Sequence, residues 1–173
     1  MQQYGFNDYV GVGDIIGSTM GGYKSDEFTT STAVRWLRTE PPRLDDKPWF
    51  LAVNFVNPHD VMFYNTDVRG ADPVQAADTA MTLNREPAHA MYQRTWDMPL
   101  PESRKEPWDQ PGRPRAHHDF QVARGALLGQ FPNEDARWQR LQDYYLNCIA
   151  DCDRHIDRLL RELDELGLAD NTI

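Results

Sequence analysis

Cysteine is scarce in this chain. Cys148 and Cys152 are the only two among 173 residues. No disulfide framework can be built from them, and without nearby His or Cys partners they make no zinc site. Their four-residue spacing suits two small apolar side chains on one helix stripe, so cysteine usage does not assign a compartment. Basic charge is also short. Lys and Arg number 18 against 27 Asp and Glu, for a net charge of −9 and a pI of about 4.9. That argues against a nucleic-acid partner, which needs a basic face to displace counterions from phosphates. It argues equally against a polybasic attachment to anionic lipid. No apolar run approaches the roughly 18 residues of a membrane span, and residues 1–6 show no basic-then-apolar leader pattern. No Gly-x-Ser-x-Gly elbow, no His-Glu-x-x-His pair and no internal repeat occurs.

Hydrophobic residues make up 40% and aromatics 11%. That supports a packed core and excludes wholesale disorder. The mean hydropathy of −0.70 is nevertheless low for a self-sufficient domain of this size.

Glycine and proline divide the chain. Six of the 11 glycines lie in the first 22 residues, and all 12 prolines lie between Pro41 and Pro132. Residues 1–24 therefore read as a Gly-rich loop region. Its Gly11–Gly17 stretch follows no clear strand and so makes no phosphate-cradling loop. Residues 25–60 read as a helix plus a core strand. The helix, 25–40, is capped by Ser25 or Asp26, shows Ala33, Trp36 and Leu37 on its apolar face, and ends at Pro41-Pro42. Residues 48–56 are almost continuously apolar. That is the pattern of a strand covered on both faces of a parallel sheet.

Residues 61–132 read as a variable excursion, with short helices near 74–83 and 117–128. Residues 133–173 read as one long helix and the start of another strand. Asn133 caps the helix and Gly167 takes the left-handed position after it. Its apolar stripe comprises Trp138, Leu141, Tyr145, Cys148, Cys152, Ile156, Leu159, Leu163 and Leu166. His155 lies off that stripe and reads as solvated. A strand made for two-sided burial and so long a stripe lack partners within the chain. It is therefore expected to be the central part of a larger domain.

The sharpest chemical feature is Asn57-Pro58-His59-Asp60, directly after the expected strand. Ligands of open α/β sheets bind beyond the carboxyl ends of the strands. A histidine held there can protonate a leaving oxygen or bind an oxyanion. The competing reading is a turn histidine that closes the strand. Asp60, Tyr64 and Asn65 are candidate substrate contacts on the same rim; ordinary loop hydrogen bonding is the alternative for them. His117 and His118 are adjacent, so they rarely face one metal. Asp151, Asp153 and Asp157 alternate with arginines and read as a charged helix face.

Three stretches together resemble the sulfatases of the alkaline-phosphatase-like superfamily. They are Lys47–Asp60, similar to that family's strand with a Pro-His ending; Tyr144–Ile173, similar to its long helix, with Asp153 matching the family's aspartate; and the helix before the strand. The resemblance implies a partial alkaline-phosphatase-like α/β fold: a doubly wound sheet with flanking helices and a long irregular insertion. It implies hydrolysis of a small-molecule or glycan sulfate ester. It also implies a formylglycine nucleophile from a Cys/Ser-x-Pro-x-Arg motif and a divalent cation, calcium in most members. Neither that motif nor the family's metal-ligand motifs occur in these residues, so no metal ligand is assigned here. Among the family's active-site residues only His59 carries over, as a contact to the sulfate that assists the leaving group. A phosphonate monoester or phosphodiester hydrolase of the same superfamily, and a non-catalytic sulfate-binding or structural module, are the alternatives. The isolated 173-residue chain is expected to be inactive, because the rest of a catalytic domain is needed.

Overall fold

The computed structural model describes residues 2–11, 19–45 and 47–173. The Gly-rich stretch lies outside them from residue 12 to residue 18, as does the side chain of Asp60. The described chain is built on three α-helices: α1 (Gly21–Thr39), α2 (Arg115–Leu128) and α3 (Asp135–Glu165). Short 3-10 turns, among them His59–Phe63, Gln75–Ala77 and Ala90–Gln93, punctuate the connections. Helices α1 and α3 pack on each other, and the His59–Phe63 and Ala90–Gln93 turns sit against α3.

Helix α1 starts earlier than capping chemistry suggests. Met20 precedes it in the left-handed region (φ 56°) and makes no side-chain cap. The poor helix formers Gly21 and Gly22 open it, and at Gly22 the chain passes too close for a side chain. A Cβ at Gly22 would sit 2.3 Å from the Asn57 carboxamide. Asp26 is therefore not a cap. It lies in the second turn, wholly buried, on a stripe with Gly22, Thr30, Ala33, Val34 and Leu37. The helix stops where expected, and Pro41–Arg43 continues as a 3-10 turn.

The expected doubly wound sheet is not formed. Among the described residues there is no named strand, and the one β-bridge joins Tyr64 to Asn84. Residues 49–56 keep the two-residue periodicity of extended chain. Trp49, Leu51, Val53 and Phe55 are half-buried, while Phe50, Ala52 and Asn54 are exposed. A strand is defined by its ladder, and a ladder needs a second strand. Among the described residues no neighbouring segment supplies one, and Phe50 stands 77% exposed.

Helix α3 has 31 residues, about 46 Å at 1.5 Å per residue. Gly167 takes the left-handed turn after it (φ 67°), with its amide on the Asp164 carbonyl at 3.0 Å. Asn133 does not cap it. Its carboxamide oxygen accepts instead from the Trp138 indole at 2.8 Å and from Arg104 at 2.9 Å. The buried face is also rotated from the apolar stripe. It carries Arg137, Tyr144, Asn147, Cys148, Asp151, His155 and Glu162, whereas Tyr145, Ile149, Ile156 and Leu160 are exposed.

The reason lies in the partner. Residues 61–132 contain little regular structure, so their backbone polar groups need side-chain partners. Asn147 donates to the carbonyls of Tyr92 and Arg94 and accepts from the Trp96 indole. Arg140 donates twice to the Thr66 carbonyl. Gln75, fully buried, accepts from the Thr66 amide and hydroxyl and donates to the carbonyls of Tyr64 and Leu128. The apolar core between α3 and this excursion is small: Tyr64, Tyr92, Tyr144 and Cys148, flanked by Val61, Met91 and Leu141. Tyr64 stacks on Tyr144 at 4.2 Å between ring centroids.

Candidate functional site

The Asn57–Pro58–His59 turn sits at the end of the extended segment. The Asn57–Pro58 peptide is cis. His59 opens a 3-10 turn, donates its amide to the Val56 carbonyl at 2.9 Å, and leaves its imidazole exposed, 6.2 Å from the Phe63 ring.

The residues beneath it are buried and polar. The two carboxylate oxygens of Asp26 accept the amides of Val56 (2.8 Å) and Asn57 (3.0 Å). Asn57, 4% exposed, donates its side-chain amide to the Tyr92 hydroxyl at 3.0 Å and to Asp151 at 3.4 Å. The Tyr92 hydroxyl in turn donates to Asp151 at 2.8 Å, and Arg154 donates to the other oxygen of Asp151 at 2.9 Å. Burial raises the Asp26 carboxyl above its ordinary range despite the two amides, and raises the Tyr92 phenol with Asp151 adding to the effect. His155 completes the layer. It is 2% exposed, with Nδ1 2.9 Å from the Thr30 hydroxyl and its ring stacked on Phe55. Burial and the Arg154 charge lower its imidazole pKa.

His155 is thus a packed, neutral-leaning core residue and not a solvated one. The imidazole finds its partners on α1, which no helix-face pattern within α3 could show. Asp151 likewise leaves the expected charged face for the interior, while Asp153 and Asp157 stay exposed. Of the candidate substrate contacts, Tyr64 lies in the tyrosine stack with its hydroxyl donating to Glu86 at 3.0 Å. Burial and Glu86 push its phenol up strongly. Asn65 is half-buried, and its carboxamide oxygen accepts the Asp67 amide at 2.9 Å. His117 and His118 are exposed on α2, and His89 is exposed and accepts from the Met91 amide. Among the described residues no three His, Cys, Asp or Glu side chains converge as metal ligands. The calcium implied by the resemblance has no ligand set among them.

A family model described as Sulfatase matches residues 2–173, spanning the His59 turn and both helices beneath it. The chain belongs to the sulfatase family. No curated protein and no solved structure matches it. Membership supports a sulfatase-type hydrolase. No helix of the described residues is long and apolar enough to cross a membrane. The signal for the buried support was weak in the sequence. Asp26 resembled a helix cap, and Tyr92 lay in a stretch with no periodicity.

Proposed function

We propose that this chain contributes the histidine-bearing rim of a sulfatase active site that cleaves a sulfate ester. The observation that carries the reading is the exposed His59 imidazole on a turn gripped by buried Asn57 and Asp26, in a chain matched by the sulfatase model. In this role an N–H of the protonated imidazole donates its proton to the leaving oxygen as that oxygen's bond to sulfur breaks. Asp60, Tyr64 and Asn65, which follow His59 along the chain, are the proposed substrate contacts; the Tyr64 hydroxyl donates to Glu86. The substrate is a small-molecule or glycan sulfate ester.

The formylglycine nucleophile of the family needs a Cys/Ser-x-Pro-x-Arg motif, which these 173 residues do not contain. The nucleophile and the ligands of the divalent cation are therefore proposed to lie in polypeptide outside residues 1–173. The isolated chain should not hydrolyse 4-nitrophenyl sulfate, with or without calcium. In a full-length sulfatase carrying it, His59→Ala should lower kcat by about 10²–10⁴-fold, as for loss of a general acid. Turnover by the isolated chain would overturn the shared-site reading, and an unchanged rate in the variant would remove His59 from the mechanism.

A further inference from the structure

We propose that Asp26 is a positioning residue for His59, acting through the backbone of Val56 and Asn57. This rests on the reading that His59 assists the leaving group. Asp26 is wholly buried, and its two carboxylate oxygens accept two successive backbone amides. Burying a carboxylate is costly, and amide hydrogen bonds offset only part of that cost. A like charge stands nearby, since Asp151 adds to the upward shift of Asp26. Such a group is a poor choice for plain helix packing. Its geometry suits a different task, which is to hold two consecutive N–H groups in a fixed orientation.

That orientation is passed on within two residues. The carbonyl of Val56 accepts the amide of His59, so whatever fixes Val56 fixes the start of the His59 turn. The Asn57 side chain is fixed independently by Tyr92 and Asp151. Gly22 lets α1 close onto it without a Cβ. Three elements far apart in sequence thus grip one dipeptide: α1, the Ala90–Gln93 turn and α3. Thr30 steadies the arrangement by donating to the Asp26 carbonyl at 2.7 Å. An exposed imidazole that must meet a leaving oxygen within a fraction of an ångström needs this kind of support, because a misplacement of about 1 Å can cost about 10²-fold in rate.

The test is a double-mutant cycle in a full-length sulfatase carrying this chain, with 4-nitrophenyl sulfate as substrate. Asp26→Ala should lower kcat about 10–100-fold and change KM less than about threefold. In the His59→Ala background the same substitution should change kcat less than about threefold, since no catalytic imidazole remains to be misplaced. Tyr92→Phe keeps the ring packing and removes only the hydroxyl shared by Asn57 and Asp151. It should follow the same pattern more weakly, and it serves as the probe if Asp26→Ala does not fold. Equal losses in both backgrounds would mark Asp26 and Tyr92 as merely structural and overturn the inference. A His59→Ala enzyme at full rate would instead overturn the underlying reading of His59, a result distinguishable from the first.

Discussion

Removing the charge of Asp67 should destabilise the fold in a pH-dependent way whose size follows from its surroundings. Asp67 is 3% exposed and pairs with the equally buried Arg137 at 2.6 Å. Its two oxygens also accept the amides of Gln75 (3.0 Å) and Ala76 (3.0 Å). It therefore ties the excursion to itself and to α3 at one point. Burial alone would raise its carboxyl; the Ala76 amide, the Arg137 guanidinium and the Gln75 amide outweigh that and hold it down to about 2, against 3.8 for an unperturbed carboxyl. At 1.36 kcal/mol per unit, that displacement corresponds to about 2.5 kcal/mol of stability.

The folded value lies below the unfolded one. The contribution is therefore fully present above about pH 4 and is lost as the pH falls from there through about 2. Asp67→Asn removes it and leaves Arg137 with Glu134 as its remaining ionic partner. The expected loss at pH 7 is about 3 kcal/mol, toward the lower end of what breaking a buried pair costs. Urea titrations followed by circular dichroism, on both proteins between pH 7 and pH 2, would read the gap directly. It should shrink by about 2 kcal/mol between pH 5 and pH 2. A gap that stays constant across that range, or stays below about 1 kcal/mol at pH 7, would refute the picture of an ionised, stabilising Asp67.

Other outcomes follow from the same packing. His155 has a lowered folded pKa, so its contribution is present above about pH 6.5 and is lost as the pH falls below that; it is faced by Asp26 and Glu27 on α1 and by Asp151 and Arg154 on α3. His155→Gln should flatten the stability slope between pH 7.5 and pH 5.5, and an unaltered slope would count against a neutral buried imidazole. Gly129→Ala should cost more than about 2 kcal/mol in thermal melts, because Gly129 has φ 79° and a Cβ there would lie 1.8 Å from the Gln75 carbonyl oxygen. Phe50→Ser should change the stability of this chain by less than about 0.5 kcal/mol, whereas Leu37→Ala, at a position 3% exposed, should cost about 2–5 kcal/mol. Comparable losses at both sites would mean that the outer face of residues 49–56 is covered after all.

Local signals transferred well from sequence to structure. Pro41-Pro42 stops α1, and Gly167 takes the turn after α3, because proline and glycine act through their own backbone geometry. The position of His59 just past the extended segment was legible for a similar reason, since a proline after an apolar run marks the end of such a segment. The buried support of that turn was not legible. Asp26, Tyr92, Asp151 and His155 carry no shared spacing, and they meet only because α1, the Ala90–Gln93 turn and α3 close on one dipeptide.

The amino-acid order by itself determined α2, the bodies and ends of α1 and α3, the extended apolar run, the histidine at its end and the membership in the sulfatase family, but not where α1 begins, and the short helix expected near 74–83 is only the Gln75–Ala77 3-10 turn. Each rests on short-range backbone chemistry or on residue identity. Tertiary structure alone decided which faces are buried. Helix α3 turns its polar side inward because the irregular excursion offers carbonyls and amides that need partners. Residues 49–56 form no sheet because a ladder requires a second strand, and none among the described residues lies beside them.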